Sequence, residues 1–308
     1  MLLVILFYAL FASTFPISKA LLSYAPPLFV TGTRMLLAGI LLLIANRIKY
    51  PQKQILSFSC LKKCIFIFIQ IIIIGIYINY IARFWALNHM PSAKACLLFS
   101  IDPILSLFFS YLAFGETNTK RQWLGFLVGF GALIPVLITS SHGEAPLGEF
   151  LNISWPELIM LISVTTNSYR WVLIRKMVAK YKYSSTLVNG LSMTFGGLLA
   201  LATSYFVEGA WPVTAPLHFF GLLFLATFIS NVIGYSFYSH LLRRYTATFL
   251  SLAGFTTPLF AAFYDWLFFG ETVSWLFYFS TFLLLMSLML FYKDEPQTKY
   301  ANEEMIKP

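Results

Sequence analysis

A carboxylate stands inside a long apolar segment of the sequence, where a charge is costly. Asp102 lies near the centre of the segment 92–113 and directly precedes Pro103. A carboxylate at mid-depth in a bilayer costs about 2.5–3.5 kcal/mol on insertion scales, so it needs a partner, a proton or contact with water. Pro103 removes a backbone donor and frees a carbonyl on the preceding turn. We therefore predict that Asp102 contacts a substrate or a coupling ion, with a buried structural pair as the alternative.

Four basic side chains lie within the first four apolar segments of the chain, namely Lys19, Arg34, Arg83 and Lys94. Lys94 and Arg83 are close enough to a segment end for their charged heads to snorkel to the membrane surface, which is the role we expect for them. Lys19 and Arg34 lie deeper. We expect Lys19 to meet a substrate carboxylate. For Arg34 a structural partnership with a helix end or an acidic side chain and contact with a substrate are both open.

Polar and aromatic residues recur at helical spacing in three other segments: Tyr77, Tyr80 and Phe84; Ser163, Asn167, Arg170 and Trp171; and Asn231, Gly234, Tyr235 and Tyr238. Helices that face only lipid or packed neighbours have no use for such stripes. We predict that the stripes line a substrate cavity through Tyr80, Asn167, Trp171, Asn231 and Tyr235. Hydrogen bonding between helices is the alternative interpretation.

Enzyme and metal motifs are missing from the sequence. It contains no HExxH, GxSxG or P-loop pattern, and no paired carboxylates at a useful spacing. Cys60 and Cys64 occur in SCLKKC, which is neither CxxC nor a zinc arrangement, so reduced thiols are expected. We predict a protein that is not an enzyme and that has no catalytic residues, metal or cofactor.

The elements that carry these residues belong to a chain too apolar for a soluble protein. Hydrophobic residues make up 59% of its 308 residues and charged residues 11%, against about 45–50% and about 25% in soluble domains. Continuous apolar runs such as FIFIQIIIIGIYI favour helices over barrel strands. Hydropathy predicts ten membrane-spanning helices, at about 2–22, 27–46, 64–87, 92–113, 121–140, 155–175, 185–207, 217–240, 246–268 and 274–292.

The distribution of Lys and Arg predicts the orientation of these spans. Basic residues cluster in the connections after spans 2, 4, 6 and 8 and in the tail, while the alternate connections are nearly free of them. Both termini are therefore predicted to be cytoplasmic, in a multi-pass protein of a bacterial inner membrane. The net charge of +9 is spread in short clusters and forms no patch, which excludes nucleic acid as a partner.

An internal repeat divides the chain. The turn Phe-Gly-Glu-Thr occurs at 114–117 and again at 269–272, a shift of 155 residues, and the same shift aligns Pro103 with Pro258. Each copy holds five spans, an odd number, so the second copy must insert with the opposite orientation. The sequence thus predicts an all-α integral membrane protein with ten transmembrane helices in two inverted five-helix repeats, the arrangement of alternating-access transporters.

We place the first repeat at 1–140, the second at 155–293 and a cytoplasmic tail at 294–308. The residues that recur in both copies are interpreted as structural. Pro103 and Pro258 each shape a helix in their own copy. Glu116 and Glu271 each follow a glycine that can cap a helix, and each favours the start of the next helix.

With these motifs in order, the sequence resembles the EamA type of the drug/metabolite transporter superfamily. The resemblance rests on DPILSLFFSYLAFGET, on TPLFAAFYDWLFFGET and on Arg34 in TRMLLAGILLL, and it covers roughly residues 1–293. It implies a secondary transporter with a central cavity lined mainly by spans 3, 4, 8 and 9, with 1 and 6. The second copy has Thr257 in place of Asp102, which argues against a symmetric role for that carboxylate.

These features favour a small substrate that has a carboxylate and a cationic or planar part, with membrane lipids as the other partner. S-adenosylmethionine has all of these parts, some members of the resembled family carry it, and S-adenosylhomocysteine would be its exchange partner. The alternative within the family is an amino-acid or drug exporter. An intramembrane lipid-modifying enzyme is the alternative of another class, but it should show catalytic residues clustered at one interface. We expect a monomer or weak homodimer.

Overall fold

The computed structural model describes residues 2–49, 58–115, 119–138, 154–181, 183–209, 212–233, 237, 241, 253–254 and 256–292, and helices account for nearly all of them. In chain order these are α1 Leu2–Ala12, α2 Thr14–Leu22, α3 Pro27–Lys49, α4 Phe58–Gln70, a π-helix Ile71–Ile78, α5 Asn79–Leu87, α6 Ser92–Phe99, α7 Asp102–Phe114, α8 Lys120–Ile138, α9 Trp155–Tyr181, α10 Ser185–Val207, α11 Pro216–Thr227, a second π-helix Phe228–Ile233, α12 Thr256–Phe269 and α13 Trp275–Tyr292.

Within these residues, five helical stretches are long and apolar enough to cross a membrane: Leu3–Leu22, Pro27–Ile48, Cys64–Leu87, Ser92–Phe114 and Ser185–Val207. Three more apolar helices are shorter, at Trp123–Pro135, Pro216–Ser230 and Trp275–Ser287. The all-helical class is thereby confirmed. The number of ten spans and their inverted arrangement stay predictions, and parts of predicted spans 8 and 9 lie outside the described residues.

The helices are interrupted at corresponding places in the two halves. Each half contains a π-helix, at Ile71–Ile78 and at Phe228–Ile233. In each half a helix also begins at or just before the repeated proline, α7 at Asp102 and α12 at Thr256. Both of these helices end at a glycine with positive φ, 66° at Gly115 and 67° at Gly270, as the cap interpretation requires.

The long helices α3 and α10 pack along each other through small residues. A Cβ at Gly197 would lie 2.6 Å from the backbone nitrogen of Leu36, and a Cβ at Gly39 would lie 2.6 Å from that of Thr194. Glycine is therefore needed at both positions for the backbones to come this close, as in many membrane helix pairs. Large apolar side chains cover the outside, for example Leu217 at 85% exposed and Phe206 at 83%, as expected of surfaces that face hydrocarbon.

Candidate functional site

Asp102 occupies a break in the fourth predicted span. Helix α6 ends at Phe99 and α7 begins at Asp102, so the carboxylate lies in the first turn of a helix that also has Pro103 in that turn. A helix N-terminus stabilises a negative charge. The Oδ1 atom of Asp102 accepts hydrogen bonds from Ser168 Oγ at 2.6 Å and from Asn167 Nδ2 at 3.0 Å, both from α9. The break in the span therefore places the carboxylate against the opposite half of the chain.

Asn167 extends this contact into a buried hydrogen-bond network. Its Oδ1 accepts from Asn79 Nδ2 at 3.2 Å and from Arg170 Nη2 at 3.0 Å. Asn79 Oδ1 in turn accepts from Ser163 Oγ at 2.8 Å. The network thus joins α5, α7 and α9, and it orients each amide because every bond has a defined donor. The members of the network are hydrogen-bonded to one another. Hydrogen bonding between helices, the alternative interpretation of the α9 stripe, therefore describes their contacts in this structure.

Arg170 is packed against the π-helix of the third predicted span. A Cβ at Gly75 would lie 2.6 Å from Cγ of Arg170, so the side chain occupies space that only glycine leaves free. The guanidinium carbon lies 4.8 Å from the ring centroid of Trp171, which is 37% exposed. The wider π-helical turn and the glycine together admit a buried arginine at the centre of the network.

Arg34 joins α2, α3 and α5. Its Nη1 donates to Ser18 Oγ at 2.6 Å, and its guanidinium carbon lies 5.6 Å from the ring centroid of Phe84. The side chain of Arg34 is half-buried. Its contacts here are a serine hydroxyl and an aromatic ring, neither the helix end nor the acidic side chain expected of a structural partner, and contact with a substrate stays a prediction.

Arg83 does not snorkel, and this corrects the sequence-based expectation. Its guanidinium carbon lies 3.9 Å from the ring centroid of Phe99 and 4.7 Å from that of Tyr80. Phe99 also contacts Phe15 of α2, with ring centroids 6.4 Å apart. The side chain therefore lies between helices rather than at the membrane surface, because two aromatic rings offer its cation a favourable face. Tyr80 itself is 9% exposed.

Lys94 does not snorkel either. It is buried and forms an ion pair with Glu157 of α9, which is also buried. Glu157 Oε2 further accepts a hydrogen bond from the backbone nitrogen of Ser154 at 2.8 Å. The expectation was wrong because position along the chain gives the depth of a lysine but not the counter-charge that another helix supplies.

Lys19 is engaged by Glu271. Its Nζ lies 2.7 Å from both carboxylate oxygens of Glu271, and 5.4 Å from the ring centroid of Phe269. The two side chains are 17% and 34% exposed. Glu271 is thus the partner of Lys19 in this structure, and a substrate carboxylate would have to replace it to reach Lys19.

Two acidic residues that sequence reasoning missed join helix ends across the chain. Asp265 of α12 accepts from Ser92 Oγ and from the backbone nitrogen of Ala93, at 2.6 Å for the latter, and so caps α6. Glu208 accepts from the backbone nitrogens of residues 28 and 29 at the start of α3. The rule that singled out Asp102, an acid inside an apolar segment, applies equally to Asp265 and could have found it.

The structure therefore brings Asp102 and Asn167 into direct contact and places Tyr80 within electrostatic range of the charges of Arg34, Arg83 and Arg170. It places Lys19 apart from them, with Glu271. The backbone of residue 231 is described but its side chain is not, while Tyr235 and Glu116 lie outside the described residues. Among those described, His, Cys, Asp and Glu form no group of three that could hold a metal ion.

Comparisons with known proteins match the chain to transporters. The EamA-like transporter family matches residues 1–138 and 154–293 of the chain. The chain is 30% identical over 296 residues to the S-adenosylmethionine/S-adenosylhomocysteine transporter of Chlamydia muridarum (strain MoPn / Nigg), a match that covers 95% of this chain and 91% of that protein. It is 31% identical over 302 residues to the protein of the same name from Chlamydia trachomatis serovar L2, covering 95% and 88%.

The fold is similar to that of a solved crystal structure of a protein. That structure matches 99% of this chain and 97% of its own, with a TM-score of 0.53 and 15% sequence identity. At that identity the likeness concerns the path of the backbone and nothing about the substrate.

Proposed function

The chain belongs to the EamA-like transporter family, and we propose that it carries S-adenosylmethionine across a bacterial inner membrane by alternating access, in exchange for S-adenosylhomocysteine. As a member of this family it is a multi-pass membrane transporter and not an enzyme. No nucleotide-binding motif is present in the sequence, so the transport must be driven by a gradient or by exchange.

One observation carries the proposed substrate: a carboxylate and guanidinium groups interact at one place between the helices, beside aromatic rings. The charge of Asp102 acts on both Arg83 and Arg170, and Tyr80 and Trp171 lie next to those arginines. A site with both charges and aromatic faces is complementary to a zwitterion that has a planar part. S-adenosylmethionine is such a molecule, and relatives about 30% identical over 95% of the chain are named as its transporters.

Each predicted site residue then has a specific role in the proposal. Asp102 faces the sulfonium, and Arg34 adds positive charge to the site. Tyr80 and Trp171 offer aromatic faces to the sulfonium or the adenine, an interaction worth about 0.5–2 kcal/mol when desolvated. Asn167 supplies a hydrogen bond.

The remaining predicted contacts come from predicted span 8 and from α2. Asn231 and Tyr235 complete the site from predicted span 8. Lys19 joins it only in a conformation in which its bond to Glu271 is broken.

The proposed architecture is that predicted from the sequence. Ten spans form two inverted repeats, 1–140 and 155–293, and the tail 294–308 and the amino terminus are cytoplasmic. Rocking of one repeat against the other would expose the site alternately to the two sides. The proposed functional unit is a monomer or a weak homodimer.

Transport by the purified protein in lipid vesicles tests this proposal. Vesicles preloaded with S-adenosylhomocysteine should accumulate labelled S-adenosylmethionine faster than vesicles loaded with buffer and faster than vesicles without protein. Absence of exchange, together with raised resistance of expressing cells to an amino-acid analogue, would instead favour an exporter of amino acids or drugs. Tags on the two termini that report opposite faces of the bilayer would refute the inverted repeat.

A further inference from the structure

We propose that Arg83 binds the carboxylate of the transported substrate, an assignment that rests on the proposed function. The sequence suggested Lys19 for this role, left the role of Arg34 open and assigned Arg83 to the membrane surface. The contacts of these three side chains in the structure instead favour Arg83.

The guanidinium of Arg83 lies against two aromatic rings and has one donor without a hydrogen-bond partner among the described residues. The ring centroids of Phe99 and Tyr80 lie 3.9 Å and 4.7 Å from its central carbon, and a side-chain hydrogen bond also joins Arg83 to Tyr80. The Nε atom is buried, and within the described part of the chain it has no hydrogen-bond partner. A guanidinium binds a carboxylate side-on through Nε and one terminal nitrogen, both of which donate in the plane of the group. A substrate carboxylate would therefore satisfy the Nε that the protein leaves unsatisfied.

The other cations near the site already donate to protein groups. Lys19 is bound to both oxygens of Glu271. Arg34 donates to Ser18. Arg170 donates to Asn167 through Nη2 and to Asn189 through Nη1, and its Nε, like that of Arg83, is buried without a hydrogen-bond partner in the described part of the chain. Lys19 would have to leave Glu271, and Arg170 would have to share a terminal nitrogen that already donates to the protein, before either could bind a substrate carboxylate side-on.

The charge around Arg83 favours an anion. The described residues include five acidic ones, and four of them are engaged elsewhere: Glu157 with Lys94, Glu208 with the start of α3, Asp265 with the start of α6 and Glu271 with Lys19. The fifth, Asp102, interacts with Arg83. Arg34 and Arg170 act on Arg83 as like charges. Arg83 and Arg170 thus share the charge of one described carboxylate, Arg34 adds a further positive charge near Arg83, and a negatively charged substrate group would reduce this excess.

The test is a comparison of two ligands that differ in the carboxylate. Decarboxylated S-adenosylmethionine keeps the sulfonium and the adenosine but has no carboxylate. Dissociation constants of both ligands would be measured by calorimetry on the purified full-length protein. The variants are Arg83→Gln and Arg83→Lys. The first removes the charge, and the second keeps the charge but removes the planar guanidinium that can bind a carboxylate through two nitrogens. Arg175→Gln is the matched control, because Arg175 is an exposed arginine that stacks on Phe114 at 4.7 Å.

We expect the wild type and the Arg175→Gln control to bind S-adenosylmethionine about 10- to 100-fold more tightly than its decarboxylated form, the range of charge-assisted hydrogen bonds. Arg83→Gln should bind the two ligands about equally, by losing affinity for S-adenosylmethionine alone, and Arg83→Lys should retain part of the preference. Retention of the full preference by Arg83→Gln would overturn the assignment, and so would an equal loss for both ligands. A wild type that binds neither ligand would overturn the proposed function itself, so the two failures are distinguishable.

Discussion

Replacement of Asp102 by asparagine isolates the charge of this residue from its hydrogen bonds. Ser168 and Asn167 both donate to the same atom, Oδ1 of Asp102. Asparagine keeps an oxygen at that position and can accept both bonds. The variant should therefore fold and insert normally while its carboxylate charge is lost.

The size of the expected effect follows from Coulomb's law. Two unit charges about 4 Å apart, in a medium of effective dielectric constant about 20, attract each other by about 4 kcal/mol. Desolvation of the sulfonium offsets part of this attraction, so we expect S-adenosylmethionine to bind about 100-fold more weakly to Asp102→Asn, which corresponds to about 2.8 kcal/mol. S-adenosylhomocysteine has a neutral thioether instead of the sulfonium, and its affinity should fall much less.

The assay measures KM and maximal rate for both substrates in vesicles that contain equal amounts of protein. Ser168→Ala is the matched control, because it removes the 2.6 Å hydrogen bond and leaves the carboxylate in place. An unchanged KM for S-adenosylmethionine would refute the charge argument. Equal losses for the two substrates would refute it as well, and loss of expression in parallel with transport would return Asp102 to a structural role.

Three further predictions concern other residues. Glu157→Gln or Lys94→Met alone removes one member of a buried ion pair and should lower the free energy of unfolding by about 3–5 kcal/mol. The double variant should lose less than the two single losses added, and a denaturant titration in detergent measures whether it does. Gly75→Ala should displace Arg170 and slow uptake of S-adenosylmethionine. Gly221→Ala is the control and should leave uptake normal, since a Cβ there meets nothing within 4 Å. Equal uptake by both variants would show that the close contact of Arg170 is unimportant. Tyr235→Ala should raise the KM for S-adenosylmethionine, and an unaltered KM would remove predicted span 8 from the site.

The helices themselves were largely predictable from the sequence. The predicted segment 185–207 coincides with α10, and the segments at 27–46 and 274–292 differ from α3 and α13 by three residues or fewer at either end. These boundaries follow from local chemistry, because an apolar stretch in a bilayer must satisfy its backbone hydrogen bonds within itself. The caps at Gly115 and Gly270 follow equally from the local sequence.

The partners of the charged residues were not predictable in the same way. Arg83 and Lys94 lie near segment ends, and this position alone predicted that both would reach the membrane surface. Lys94 instead meets Glu157, and Arg83 stacks on Phe99, a contact across the turn between two helices. Depth in the membrane is encoded in the apolar pattern, whereas the direction of a side chain depends on how the helices pack.

The sequence alone determines that this is a helical membrane protein that resembles EamA transporters. It also places a carboxylate and several cations inside apolar segments. Only the tertiary structure decides which of those charges neutralise each other. It pairs Lys19 with Glu271 and leaves Nε of Arg83 without a partner among the described residues. The physical reason is that an ion pair inside the bilayer requires two groups within a few ångströms, and these groups come from helices far apart in the chain.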